Sequence, residues 1–366
     1  MVEYVGLNEV YNDIKSYLNN ENNVKISVIF ASNTSGKTRL STQFCEEEDG
    51  SVLCYNAFLE DCFSWDNENL ELLIFKGSWV SDLIKIEGLH NEIDSNFKLF
   101  TSGRIEAYIN DPATKVEFKL LGDDEYNGKI KISKGEESLF IWSVFYTILK
   151  TAVDNLTESV DNRITHYFDN LKYIIIDDPV SSMDDARIIS VGIAINELLD
   201  NIVKSQDKLQ TKLGILITTH HALFFSIIHN KNIKADKRKQ QDYVLSRIDK
   251  TYILEEQNNS SPFAYHHQML LEIQRAIRED NIRKYHFNLL RCLLEKTANF
   301  LGYKGNWSTL ISDNSNKELL AKILNQYSHN QLSETEVRYV EKNDKDLFIN
   351  TFNDFLRDYK WNYKED

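Results

Sequence analysis

Ile174-Ile175-Ile176-Asp177-Asp178-Pro179-Val180-Ser181-Ser182-Met183-Asp184 is the stretch of this sequence that decides the fold. Three consecutive isoleucines are typical of a strand that is buried on both faces of a parallel sheet. Two carboxylates at the end of such a strand cost free energy unless a positive group lies beside them. A magnesium ion that accompanies a nucleotide would supply that charge. A buried strand ending in a polar turn is the simpler interpretation of this stretch alone, so the rest of the chain must decide.

An earlier strand leads into a phosphate-binding loop. Residues 24–30 alternate as a strand does, and Ala31-Ser32-Asn33-Thr34-Ser35-Gly36-Lys37-Thr38 follows directly. This is the spacing of a P-loop, with Ala31 in the place of the first glycine. Backbone amides of such a loop bind phosphates at a helix N-terminus. The candidate nucleotide-binding residues are Ser35, Gly36, Lys37 for the terminal phosphates, and Thr38 as a magnesium ligand; a strand–loop–helix with an incidental Gly-Lys-Thr is the alternative.

A second motif precedes a long amphipathic helix that we predict from Ser138 to about Leu156. Its residues are Ser133-Lys134-Gly135-Glu136-Glu137. Ser-x-Gly-Glu before a helix resembles the signature motif of ABC-type ATPases, whose serine and glycine contact the phosphate bound by the opposite subunit. That resemblance makes Ser133, Gly135 and Glu136 candidate cofactor-binding residues. A serine N-cap with early glutamates explains the same residues locally.

The order of the motifs favours the ABC-type interpretation. After the phosphate loop and the signature motif comes the isoleucine strand, and then a buried strand over 213–217 that runs into Thr218-Thr219-His220-His221. The resemblance implies that Asp177 holds Mg²⁺ through water and that His220 contacts the γ-phosphate. It also places Asp178 where most such enzymes have a catalytic glutamate, and Ser182-Met183-Asp184 at the D-loop. Alternating strands and helices predict an α/β fold with a mostly parallel sheet and helices on both faces.

The remaining elements follow from periodicity and turn residues. We expect helices over 66–110, a hairpin that joins 118–120 to 130–132, and a closing hairpin over 243–254. Polar residues and a proline at 257–262 mark a boundary. Two long helices should follow, over 264–279 and 281–301. The predicted domains are therefore 1–256, an ABC-type NTPase domain, and 257–366, an all-α domain.

Composition limits the function classes. The net charge of −14 argues against a general DNA- or membrane-coating protein. From Glu256 onward the charge is −1 (15 Lys and Arg against 16 Asp and Glu), so the first 255 residues carry −13. The four cysteines lack paired metal-ligand spacing and are typical of reduced thiols. With no run of ~20 apolar residues and no secretory leader, we expect a cytoplasmic protein without a membrane partner.

A second candidate site lies in the C-terminal part. Arg291 and Glu295 are four residues apart and share one helical face, and His329 follows at a predicted helix end. Arginine, glutamate and histidine together can cleave RNA without a metal, because RNA supplies its own 2′-hydroxyl nucleophile. Taken alone, a surface salt bridge between Arg291 and Glu295 is the simpler interpretation.

Over essentially its whole length the chain resembles the PrrC family of bacterial tRNA anticodon nucleases. The residues that carry the resemblance are Gly36-Lys37-Thr38-Arg39-Leu40-Ser41, Tyr55-Asn56-Ala57-Phe58, Trp65-Asp66-Asn67, Ser133 to Ser138, Phe140 to Tyr146, Asp177 to Ser182, Thr218-Thr219-His220, Leu289-Leu290-Arg291, Glu295-Lys296-Thr297 and Phe300 to Tyr303. Each ATPase motif alone is generic, whereas their combination with the Arg-x3-Glu helix and a downstream Ser-His is specific.

The resemblance implies an NTPase that keeps a helical, HEPN-like nuclease silent and switches it on. The nuclease would cut a tRNA at the wobble position and leave a 2′,3′-cyclic phosphate and a 5′-hydroxyl, with Arg291, Glu295 and His329 as catalytic residues. The family acts in phage defence, as a toxin that disables translation, and is silenced by a type I restriction–modification complex. Its cofactors would be ATP or GTP with Mg²⁺, and a thymidine nucleotide (dTTP) as a sensed ligand.

Two further expectations concern recognition and assembly. The motif that reads the wobble base in this family matches Asn259-Ser260-Ser261-Pro262-Phe263, with Ser260 at the acidic position and Ser261 beside it. Specificity for lysine tRNA is therefore not implied. The signature motif must complete the nucleotide site of another subunit, so a homodimer or higher oligomer is expected. The alternative function is an ABC-type sensor ATPase that recruits a separate effector and uses its C-terminal helices as a platform.

Overall fold

The computed structural model describes residues 2–32, 34–56, 61–101, 103–121, 128–181, 183–234, 239–248, 251–257, 264–303, 307–311, 323 and 340–359. The chain divides into two compact units, Met1–Pro262 and Phe263–Asp366.

The first unit is built on a seven-stranded sheet. In spatial order its strands are β1 (Val2–Tyr4), β11 (Thr251–Glu256), β10 (Lys239–Ile248), β2 (Lys25–Ala31), β9 (Gly214–Thr219), β8 (Tyr173–Asp177) and β3 (Val52–Tyr55). From β10 to β3 all neighbours are parallel, whereas β11 and β1 join antiparallel at one side. The predictions of an α/β fold with a mostly parallel sheet and of the closing hairpin are confirmed.

Apolar residues explain why this sheet forms. All five residues of β8 are buried, as are all six of β9, which is typical of central strands covered on both faces. On one face lie α1 (Leu7–Leu18) and α2 (Lys37–Glu47), where the rings of Tyr11 and Phe44 meet edge to face at 4.6 Å. On the other lies α7 (Ala222–Lys234), which packs Phe225 on Phe30 of β2. Parallel strands covered in this way end at one common edge.

A second sheet corrects the predicted helical region. Its strands lie in the order β4 (Phe63–Asp66), β5 (Glu71–Ile74), β7 (Lys115–Leu120), β6 (Ile105–Ile109), all antiparallel. Among the described residues between 66 and 110, only α3 (Trp79–Glu87) and α4 (His90–Phe100) are helical. The predicted hairpin partner is also wrong, because β7 pairs with β5 and β6. Residues 128–132 form no strand, although Ile130 N–H donates to the Phe118 carbonyl at 2.9 Å.

Two long helices complete the described part of the first unit. Helix α5 (Lys134–Thr157) carries sixteen buried residues, and α6 (Asp185–Lys204) follows β8. Helix α5 was expected from Ser138; it begins one turn earlier because Ser133 caps it. Both helices begin beside segments that the sequence had marked as functional.

Two of the four cysteines form a disulfide, so the prediction of reduced thiols is wrong for this pair. Cys45 lies in the last turn of α2 and Cys54 in β3, with their Cα atoms 6.3 Å apart. The tight turn between these two elements brings the thiols together, at a separation that disulfides commonly span. Cys62 and Cys292 lie outside this disulfide and keep their thiols.

The second unit is helical in its described residues. Its helices are α8 (Ala264–Arg278), α9 (Lys284–Phe300) and α10 (Lys342–Asp358). Their shared core contains Leu270, Ile273, Phe287, Leu290 and Phe348. Because the polar faces are left outside this core, α9 can present charged side chains on its outer side.

Within the described residues, no helix has both the length and the apolar character that crossing a membrane requires.

Candidate functional site

The phosphate loop lies between β2 and α2, at the carboxyl edge of the parallel strands. It turns through two residues in the left-handed region, Thr34 (φ +72°) and Gly36 (φ +97°). The hydroxyl of Ser35 donates to the Ser32 carbonyl at 2.5 Å. Helix α2 begins at Lys37, so the amide groups of its first turn meet this loop, which is where anionic groups bind.

Lys37 and Asp178 form a buried ion pair at this edge. Lys37 Nζ lies 3.0 Å from Asp178 Oδ2, and their side chains are 8% and 14% exposed. The same carboxylate accepts hydrogen bonds from Nδ1 of His220 and, at 3.2 Å, from the hydroxyl of Thr219. The structure thus brings three predicted site residues, Lys37, Asp178 and His220, into direct contact.

The two neighbouring aspartates lie in opposite electrostatic environments. Burial raises the pKa of Asp177. Burial would also raise the pKa of Asp178, but the hydrogen bond from His220 and the charge of Lys37 outweigh it and lower that pKa to about 2. Asp178 is therefore an ionised acceptor, so Nδ1 of His220 carries the proton between them. Asp178 also has φ +52°, a strained conformation for a residue with a side chain.

Asp177 faces a set of hydroxyl groups. It accepts a hydrogen bond from Thr218, its neighbour across the β8–β9 pair, and the hydroxyl of Thr38 in the first turn of α2 acts to lower its pKa. Carboxylate and hydroxyl oxygens are the hard ligands that Mg²⁺ prefers, and Mg²⁺ keeps several ligands from water and phosphates. Asp177 and Thr38 therefore fit a magnesium ion. In the described part of the chain no group of three or more His, Cys, Asp or Glu residues could hold a metal by itself.

The signature residues form a complete capping box at the start of α5. Ser133 Oγ accepts the Glu136 N–H at 3.3 Å, and Glu136 Oε2 accepts the Ser133 N–H at 2.7 Å. The local interpretation of these residues is thus present in the structure. The capping box is also compatible with a phosphate contact by Ser133, because capping uses a lone pair of its oxygen and leaves its hydroxyl hydrogen available for donation. Ser133 and Lys134 are exposed, and Gly135 is half-buried.

The predicted D-loop leads into α6. Asp184 caps this helix by accepting the Arg187 N–H at 3.0 Å. The Arg187 guanidinium in turn lies 3.5 Å from Glu136, which connects the two helix starts. Ser182 lies outside the described residues.

The predicted nuclease pair lies on α9. Arg291 Nε donates to Glu295 Oε1 at 2.8 Å, and the two side chains are 22% and 37% exposed. Leu290, Leu293 and Leu294 of the same helix are fully buried, so the pair occupies the outer side of α9. The structure brings these two residues together as one helical face. His329, Ser260 and Ser261 lie outside the described residues.

Sequence reasoning missed two functional candidates. Thr218 was quoted only as part of a strand end, and the sheet register was needed to place it against Asp177. Arg187 carried no motif at all, because its partner Glu136 is 51 residues away in the chain.

Comparison with known proteins supports one family. No family model matches the chain. The anticodon nuclease of Escherichia coli is 38% identical over 346 residues, which cover 86% of this chain and 84% of that protein. An uncharacterized SCCmec type IVc chromosomal cassette protein of Staphylococcus aureus (strain MRSA252) is 24% identical over 260 residues, covering 68% of this chain and 34% of that protein.

Solved structures similar to this chain include heads of SMC proteins. One is the Smc head bound to the C-winged helix domain of ScpA, at TM-score 0.36 and 11% identity, covering 63% of this chain and 89% of that one. The SMC head domain from Thermotoga maritima matches at TM-score 0.32 and 12% identity, covering 64% and 91%.

The match to the E. coli protein covers more of the chain than the 262 residues of the first unit can supply, so it extends into the unit that carries Arg291 and Glu295. The resemblance expected from the motifs is confirmed, and with it the prediction of an enzyme: this chain belongs to the PrrC family of anticodon nucleases.

Proposed function

We propose that this chain is an NTP-gated tRNA anticodon nuclease. Residues 1–256 would form an ABC-type NTPase domain, and residues 257–366 a helical, HEPN-like domain that cleaves a tRNA at the wobble position. The observation that carries the proposal is family membership across both units, each of which presents a separate polar site.

In the first site, the chain's own residues would bind a nucleotide triphosphate, ATP or GTP. The amides of Gly36 and the first turn of α2, with Ser35 beside them, would bind the phosphates, and Lys37 would contact the terminal ones. Thr38 and Asp177 would hold Mg²⁺, which when bound neutralises phosphate charge. His220 would approach the terminal phosphate, while Ser133, Gly135 and Glu136 would serve the site of a second copy in a homodimer or larger oligomer.

Asp178 would orient the attacking water. A carboxylate with a pKa of about 2 is a weak base, and its charge is already shared with Lys37 and His220. General-base catalysis is most effective when the pKa lies near the working pH. We therefore expect slow hydrolysis, which suits a gate that stays in one state for a long time.

In the second site, the reaction would be a transesterification of RNA. The 2′-oxygen attacks the adjacent phosphorus as one group removes its proton, and the bond to the 5′-oxygen breaks as another group protonates it. Glu295 and His329 are the candidates for these two roles, and Arg291 would stabilise the charged phosphorane. The products are a 2′,3′-cyclic phosphate and a 5′-hydroxyl.

The biological setting follows the family. We propose a cytoplasmic toxin of antiviral defence that causes abortive infection, kept silent by a partner such as a type I restriction–modification complex, with dTTP as a further sensed nucleotide. Ser260 and Ser261 would read the wobble base. With a serine at the acidic position, the tRNA that is cut need not be the lysine tRNA.

A matched pair of variants tests the nuclease assignment. Arg275 on α8 and Glu279, just past the end of α8, form a salt bridge with the same spacing and the same 2.8 Å distance as Arg291 and Glu295. Glu295→Gln should lower the rate of tRNA cleavage by the purified, NTP-loaded protein at least ~100-fold, because it removes an acid or base. Glu279→Gln should stay within about twofold of wild type, since surface pairs contribute little. Equal effects of the two variants would contradict the assignment.

A further inference from the structure

We propose that Arg187 is a positioning residue that connects the signature segment (residues 133–137) to the start of α6. The connection would hold the two segments in a fixed relative position when they contact the nucleotide bound by the partner subunit. This inference rests on the proposed NTPase. It assigns a role to a residue that belongs to no motif.

The contacts of Arg187 reach both segments. Its Nη2 donates to Glu136 Oε1 at 3.5 Å, and its Nε lies 3.3 Å from Asp184 Oδ2 in an ion pair. Its backbone N–H is the group that Asp184 caps, at 3.0 Å. One half-buried guanidinium therefore binds the capping carboxylates of two helices that are remote in sequence.

Glu136 contacts both Arg187 and Ser133, and so connects the two residues. While one of its oxygens contacts Arg187, the other accepts the Ser133 N–H at 2.7 Å. Ser133 Oγ accepts the Glu136 N–H in return, and its hydroxyl hydrogen can still be donated to a phosphate. The chain of contacts from Asp184 through Arg187 and Glu136 thus fixes the orientation of the exposed Ser133.

The exposure of the Arg187–Glu136 pair indicates that it contributes to the position of the two helix starts more than to the stability of the fold. Arg187 and Glu136 are each about a quarter exposed, and their contact is long. Such a pair adds little to folding. Removing it should leave the fold intact but allow the two helix starts to move independently, and small displacements of groups at a reacting centre lower rates strongly.

The first test measures NTP hydrolysis by the full chain. Arg187→Ala should lower kcat about tenfold with little change in KM, because the nucleotide is held by the phosphate loop of the other copy. The unfolding midpoint should shift by no more than about 3 °C. Arg357→Ala is the matched control, since Arg357 also binds two carboxylates of its own helix region, Asp354 and Asp358, and it should leave kcat unchanged.

A double-mutant cycle tests the route through Glu136. If Arg187 acts through Glu136, the double variant Arg187→Ala/Glu136→Gln should hydrolyse NTP no more slowly than Glu136→Gln alone. If the double variant instead loses kcat by the product of the two single-variant factors, the inference is overturned.

Subunit mixing shows on which side Arg187 acts. In an equal mixture of Arg187→Ala with Lys37→Ala, half of the dimers should contain one intact site, which predicts about a quarter of wild-type activity. Mixing Ser133→Arg with Lys37→Ala is the positive control for a site shared between subunits. Recovery in the control but not with Arg187→Ala would overturn the inference while leaving the proposed NTPase intact. Wild-type hydrolysis that Lys37→Ala does not lower would instead contradict the proposed NTPase.

Discussion

Asp178 has two partners that a nucleotide would also attract. Lys37 and His220 both contact its carboxylate, and both are candidate phosphate contacts. The ion pair must therefore open, or be shared, when a triphosphate binds. Competition of this kind lowers nucleotide affinity, because part of the binding free energy is used to replace an existing contact.

Asp178→Asn should therefore tighten NTP binding while slowing hydrolysis. Removing one buried charge next to the phosphate position should lower the Kd about tenfold, which corresponds to about 1.4 kcal/mol. The turnover rate should fall at least ~100-fold, because the water-orienting carboxylate is lost. Fluorescent-nucleotide titration and a phosphate-release assay measure the two effects.

The exposed Asp161→Asn is the matched control and should change neither value. Weaker binding by Asp178→Asn would mean that the carboxylate supports the loop and does not compete with the nucleotide.

At the residue scale, the sequence predicted which residues belong to the site better than it predicted their backbone conformations and contacts. Lys37, Asp177, Asp178 and His220 were all singled out by motif spacing. Their contacts were not predictable, because the pairing of Asp177 with Thr218 depends on the β8–β9 register. The left-handed backbone at Asp178 has no sequence signal either, since aspartate adopts it only where the surrounding structure imposes it.

Among the elements, the turn into α2 is the most constrained. Gly36 has φ +97°, and a Cβ built there would lie 3.2 Å from Cε1 of the Tyr252 ring and 3.5 Å from Cδ1 of Leu7. Both neighbours belong to the packed core beneath the loop. A side chain at this position is therefore strained by the backbone and also crowded.

Gly36→Ala should destabilise the fold by about 1–3 kcal/mol and weaken NTP binding at least ~10-fold. Gly50→Ala is the matched control, because Gly50 also has positive φ (+77°) but nothing lies within 4 Å of its added Cβ. It should lower stability without changing NTP affinity. Denaturant unfolding and nucleotide titration distinguish the two; equal loss of affinity in both variants would contradict the account of the loop.

The long buried elements were predictable and the short ones were not. Strands β8 and β9 consist of continuous apolar runs, which periodicity identifies. Strands β4 and β5 have four residues each. That is too short for an alternation of apolar and polar residues to distinguish them from the neighbouring helices α3 and α4. Strand β7 was placed correctly, but its partner β6 precedes it in the chain, and the choice of partner depends on tertiary packing.

At the scale of the whole molecule, each of the two units carries one of the two candidate sites. The first unit carries the whole net charge of −14 and all the nucleotide-site residues, because residues 263–366 contain 15 Lys and Arg against 15 Asp and Glu. Such a surface repels RNA, whose backbone contacts dominate affinity. The second unit has no net charge and bears the Arg291–Glu295 face. We therefore expect tRNA to be bound and cut by the second unit under control of the first.

The most direct test maps tRNA ends by sequencing in cells that express the activated wild type, freed of any silencing partner, or His329→Ala. The account predicts cleavage within one anticodon loop, with cyclic-phosphate and 5′-hydroxyl ends, that disappears in the variant. Intact tRNA in both strains would contradict the nuclease and favour a sensor ATPase that recruits a separate effector. Cleavage that persists in His329→Ala would contradict the proposed catalytic residues.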